Sequence, residues 1–132
     1  MKLRLAIVGA CIAAILILPV AASAAISRLD LGSQAQLGPE GSFVTVPVTY
    51  HCDFTDGLIF LNVRVTQSRG NRIADGQGGF QGTCTGGPQT ALVEVQSFTG
   101  VPYHHGRAVA RAFASTITGS SASDGPEEIR IA

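Results

Sequence analysis

The residues best able to do chemistry sit together in VPVTYHCDFTDG, from Val46 to Gly57, where His51, Cys52, Asp53 and Asp56 fall close in the chain. A histidine beside an aspartate can orient a nucleophile, and imidazole with carboxylates can hold a metal. Neither chemistry is completed. No Gly-x-Ser-x-Gly turn occurs, and no serine or cysteine nucleophile motif accompanies His51 and Asp53. The other histidines, His104 and His105, are adjacent, a spacing that specifies little and reads as a solvated loop. No catalytic residue, metal ligand or cofactor is therefore assigned.

Acidic loops are the remaining candidates. Asp53, Asp56, Asp124 and Glu127, with Glu128 beside them, fall in turn-like segments and could bind an ion or a partner through carboxylates and loop carbonyls. Asp and Gly also occupy such turns for backbone reasons alone. GQGGFQGTCTGG is glycine-rich but lacks the Lys-Ser/Thr ending of a phosphate loop, so its glycines are read as serving turns and close sheet contact.

The elements that must position these residues are strands. Alternation dominates and no segment sustains a helical period. Phe43 to Cys52 puts Val44, Val46, Val48, Tyr50 and Cys52 on one face, with Pro47 marking an edge or a bulge. Leu58 to Gln67 turns Ile59, Leu61, Val63 and Val65 inward. Thr90 to Ser97 and Arg107 to Ser115 follow, the latter with Ala108, Ala110, Ala112 and Ala114 inward and Val109 and Phe113 outward, an exposed pair that could mark a partner surface. Shorter candidates are Ile26 to Leu31, Gly78 to Cys84 and Glu128 to Ile131. Turn-rich LGPEGS, DFTDG, SRGNR, TGGPQ and GSSASDGPE separate them.

The first residues address the chain to export. Lys2 and Arg4 precede an apolar run from Leu5 to Leu18, then Pro19 and Ala22-Ser23-Ala24, the layout of a signal peptide over residues 1–24 with cleavage after Ala24. Retention as an anchor, or lipidation at Cys11, are the alternatives. Cleavage leaves one domain, residues 25–132, with seven arginines against nine acids, a net charge of about −2. That balance gives no general attraction to nucleic acid or to an anionic membrane. It also leaves Cys52 and Cys84 as an even pair, which in an exported chain reads as a disulfide. Strand direction agrees. If Phe43–Cys52 runs up, Leu58–Gln67 runs down and Gly78–Cys84 runs up, both cysteines arrive at one end. The same parity puts His51 at that end and His104-His105 at the other, with Asp53, Asp56, Asp124 and Glu127 expected in the disulfide-end loops and Arg69, Arg72 and Arg107 in the opposite ones.

The segments VTVPVTYHC, LNVRVTQSRG, GTCTG and HHGRAVARAFA resemble a family of small secreted immunoglobulin-like proteins of actinobacteria, which would imply a disulfide-bonded sandwich. The closing ASDGPEEIRIA is similar to the end of the neocarzinostatin family, exported sandwiches that carry a chromophore. Members of that family have two disulfides where this mature chain has one cysteine pair, and no binding residue is carried over.

The expected fold is all-β, a small antiparallel immunoglobulin-like β-sandwich of about seven strands with one disulfide. The expected function is a secreted, non-enzymatic interaction or binding module for an extracellular or cell-envelope partner. A small-ligand carrier using the disulfide-end loops is the alternative.

Overall fold

The computed structural model describes residues 26–132, so the signal peptide expected over residues 1–24 lies outside the described residues. Eight strands make up the domain: β1 (Ile26–Leu31), β2 (Gln34–Leu37), β3 (Phe43–Cys52), β4 (Leu58–Arg69), β5 (Arg72–Thr83), β6 (Pro88–Ser97), β7 (Gly106–Thr116) and β8 (Ser121–Ile131). Short 3-10 turns, Pro39–Gly41 and Phe54–Asp56, are its only helical elements among the described residues.

The alternation reads directly as burial. Along β3 every second residue from Val44 to Cys52 is buried, and Ile59, Leu61, Val63 and Val65 of β4 meet the same core. Ala108, Ala110, Ala112 and Ala114 of β7 line it too, while Val109 and Phe113 stand half-exposed outside, as the alanine stripe requires.

Two sets of long ladders form, β1–β3–β6 and β5–β4–β7–β8. They are not separate sheets. β5 joins β6 through Gly76–Ser97 and Gln77–Gln96, and β2 links β3 to β8, so seven of the strands close into a barrel with β1 alongside on β3. Where a small antiparallel β-sandwich is expected, the ladders close into a barrel, and β2 and β8 pair in parallel through Gln34–Arg130 and Ala35–Ile131. The cause is local: the chain breaks step at Gly32-Ser33, and its second half pairs on to β8. Pro47 sits opposite that break, its carbonyl accepting the Gly32 N–H at 2.7 Å, where its missing donor costs the ladder nothing.

Two more boundaries differ from expectation. β5 starts at Arg72 rather than Gly78, directly after the Gly70-Asn71 turn, yet remains one strand, so the predicted parity survives. β8 starts at Ser121 rather than Glu128 and is interrupted by a register shift opposite Ala110–Ala112, where the cis Gly125–Pro126 peptide lies. Small polar residues and the Gly-Pro pair make this stretch look like a turn in sequence.

The disulfide joins Cys52 and Cys84, whose Cα atoms are 5.3 Å apart. It ties the end of β3 to the end of β5 at the end of the barrel where β5 and β6 are no longer paired.

Candidate functional site

The end opposite the disulfide is built around an amide where the core pattern would next call for an apolar residue. Gln67 continues the inward face of β4 after Val65 and is buried. Its Nε2 donates to the carbonyls of His104 (2.9 Å) and Arg107 (3.2 Å), and its Oε1 accepts the His104 N–H at 2.8 Å. One buried side chain thus staples the segment between β6 and β7 to the barrel. A buried amide without these partners would be costly, so the arrangement fixes the backbone there.

Tyr103 closes the same end from beneath. Its ring is buried, its hydroxyl donates to the Val65 carbonyl at 2.8 Å, and its N–H bonds the Gly41 carbonyl at 2.8 Å. Burial, with the nearby Asp75 charge as a smaller cause, pushes the phenol well above its ordinary range, so it stays a neutral donor. Gly41 has φ +70°, and a β-carbon there would lie 2.2 Å from the Tyr103 carbonyl oxygen, so glycine is required for this closure.

On this frame lies a basin of about 640 Å³ lined by Gln67, Ser68, Arg69, His104, His105, Gly106 and Arg107. A second cavity of about 300 Å³ shares Arg69 and His104 with it and adds Arg72, Val101 and Pro102. The exposed Arg107 makes one loose ion pair, 3.4 Å to Glu128, of the kind that contributes little in water. Guanidinium and imidazole donors around a concave floor form an anion-binding arrangement, and Arg suits carboxylate and phosphate oxygens best.

The acidic candidates go elsewhere and do not share one site: Asp53 and Asp56 lie at the turn after β3, whereas Asp124 and Glu127 are neighbours on β8. Asp53 caps the Phe54–Asp56 turn, its Oδ1 accepting from the Thr55 N–H and hydroxyl, both at 3.0 Å. Those two bonds, with His51 a smaller contribution, hold its carboxyl below the usual range. Asp56 is fully buried, and its Oδ1 accepts from the hydroxyls of Thr118 (2.5 Å), Thr116 (3.4 Å) and Ser120 (3.4 Å), which pins the turn to the β7–β8 connection. His51 donates through Nε2 to the Gly86 carbonyl at 2.6 Å, a bond within the disulfide-end loops.

Asp124 and Glu127 are not in those loops. They lie within β8, opposite Ala112 and Ala110, because β8 extends seven residues earlier than its sequence pattern shows. Asp124 accepts the Leu31 N–H at 2.8 Å and so bridges β8 to β1. Glu127 is raised above the usual carboxylate range by desolvation first, then by Asp124 and Asp30. Among the described residues no group of three or more His, Cys, Asp or Glu side chains is arranged to hold a metal ion, and no helix is long and apolar enough to cross a membrane.

Sequence parity thus places Arg69, Arg72, His104, His105 and Arg107 at one end correctly, and His51 at the other. It misses Gln67 and Tyr103. A polar residue continuing an apolar inward register was the available signal for Gln67; nothing local distinguishes Tyr103. Compared with protein-family models, with curated proteins and with solved structures, the chain matches none. The geometry therefore has to carry the functional reading.

Proposed function

We propose that this chain is an exported, non-enzymatic binding module, immunoglobulin-like in its two facing sets of ladders, that takes an anionic ligand or partner in the basic basin at the end opposite its disulfide. The observation that carries the reading is the buried Gln67 staple. It holds the backbone of His104 and Arg107 by three hydrogen bonds, so the main chain that carries these two side chains is fixed before anything binds. The formed disulfide fits the export reading, since such bonds persist in oxidising compartments. The position of the cavities favours this end over the disulfide-end loops as the binding end.

The test is titration of the domain with tripolyphosphate, followed by backbone amide NMR and repeated at several salt concentrations. Saturable shifts at Arg69, His104, His105 and Arg107, weakening with salt and abolished in the double variant Arg69→Ala/Arg107→Ala, are expected. Absence of binding, or shifts centred on the disulfide-end loops, overturns the reading.

A further inference from the structure

The concave surface does not end at the second cavity. The second cavity shares Val101 and Pro102 with a third, of about 360 Å³, whose other walls are Glu40, Ser42, Ser97 and Gly100. Three adjoining cavities with common walls follow one another across the end of the barrel. Their chemistry changes along the way, from Arg and His side chains, through the apolar Val101-Pro102 step, to serine hydroxyls and one carboxylate.

The walls are held as firmly as the basin. The Ser97 hydroxyl donates to the Val101 carbonyl at 2.6 Å, the Thr99 hydroxyl to the Ile73 carbonyl at 2.8 Å, and Ser42 Oγ to the Pro39 carbonyl at 3.0 Å. The Ser97 N–H reaches the Ser42 carbonyl at 3.3 Å, so the two sides of the third cavity are joined. Val101 packs against the core, which gives the middle of the track a fixed apolar surface.

Resting on the anion-binding reading of the basin, we infer that the three cavities form one track for an extended peptide whose carboxylate-bearing end lies among Arg69, Arg72, His104, His105 and Arg107. A uniform polyanion fits the track poorly, because Glu40 at the far end repels it and Val101-Pro102 offers it no donor. A peptide acidic at one end satisfies both: its charge stays in the basin, an apolar side chain covers Val101 and Pro102, and its neutral or amino end meets Ser42, Ser97 and Glu40. No Phe, Tyr or Trp side chain lines the three cavities, so the broad carbocyclic or indole platform on which sugar rings commonly stack is missing from their walls.

The experiment uses two synthetic octapeptides: one of neutral residues ending in two aspartates with a free carboxylate, and octa-aspartate. A sulfated glycan serves as the second class of ligand and tripolyphosphate as the basin control. The expected result is that the end-acidic peptide shifts the amides of His104, His105 and Arg107 and also those of Ser42, Ser97 and Gly100, while tripolyphosphate shifts the first group alone. Glu40→Lys, at an exposed position, should raise octa-aspartate affinity about three- to fivefold, the size of one exposed charge pair removed and replaced. It should leave tripolyphosphate binding unchanged. A peptide footprint confined to the basin, or a wild-type preference for octa-aspartate or the glycan, overturns the track while the basin stands. Failure of all four ligands to bind overturns both.

Discussion

A β-carbon placed on Gly78 would stand 2.0 Å from the carbonyl oxygen of Glu94. Gly76 stands in the same relation to Gln96, also at 2.0 Å. β5 therefore approaches the β6 backbone more closely than any side chain permits, and this contact closes the barrel where the two strands share only a short ladder. Gly78→Ala should destabilise the domain by about 3 kcal/mol, since backbone atoms must move to admit the methyl group. Gly79→Ala is the control: its β-carbon would meet only the Leu61 carbonyl, at 3.7 Å, and its effect should stay within about 0.5 kcal/mol. Urea unfolding of the two variants measures the difference, and equal costs would contradict the close-approach argument.

The disulfide spans 32 residues. On the chain-entropy relation, closing that loop contributes about 3–4 kcal/mol. Cys52→Ser/Cys84→Ser should lose roughly that much in denaturant unfolding, a large part of the total for a domain of this size. The basin lies at the other end of the barrel, so the folded fraction of this variant should still bind tripolyphosphate with unchanged affinity.

Gln67→Leu keeps the inward volume but removes both ends of the staple. The His104 N–H and the carbonyls of His104 and Arg107 then lose their partner, at a cost of about 2–3 kcal/mol. Hydrogen exchange at the His104 amide should accelerate more than exchange in β3. A uniform change across the domain would instead point to a purely global role for Gln67.

Asp75 accepts two hydrogen bonds from Arg64, at 3.0 and 2.6 Å, and a third from the Thr66 hydroxyl at 3.1 Å. The Arg64 bonds chiefly hold its carboxyl below the usual range, against an opposing desolvation. A depressed folded value stabilises the domain above the ordinary carboxylate pKa, about 3.9, and that contribution is lost as pH falls through the folded value. Arg64→Ala should raise the Asp75 carboxyl pKa, read by carbon NMR titration, and move the acid-unfolding midpoint to higher pH. An unmoved titration would remove Arg64 as the cause.

Glu127 has the opposite sign. Its raised value means that its protonated form favours folding below the ordinary glutamate pKa, about 4.3, and that this support is lost as pH rises through the folded value. Glu127→Gln should therefore stabilise the domain at pH 7, by less than about 1 kcal/mol because the side chain is exposed to solvent. The gain should vanish near pH 3. A gain independent of pH would reject the cost of the Glu127 charge, from desolvation first and then from Asp124 and Asp30, as its origin.

The sequence by itself determined the inward faces of β3, β4 and β7, the Cys52–Cys84 pairing and the separation of His51 from His104 and His105. All of these follow from period-two alternation and strand direction, which are local properties summed along the chain. Only the tertiary structure decided that the ladders close. Closure depends on how near β5 comes to β6 at Gly76 and Gly78, and on β2 leaving β1's line to pair with β8, neither of which has a periodic signature. It also decided the fate of the acidic candidates. SASDGPEE reads as a turn because its small and polar residues carry no alternation, yet hydrogen bonds to β7 make it a strand and draw Asp124 and Glu127 towards Asp30. The basin is legible only in part. Its cations could be placed at one end by counting strands, whereas the backbone that carries His104 and Arg107 is fixed by Gln67 reaching a segment 37 residues away, a pairing that distance in space sets and distance in sequence conceals.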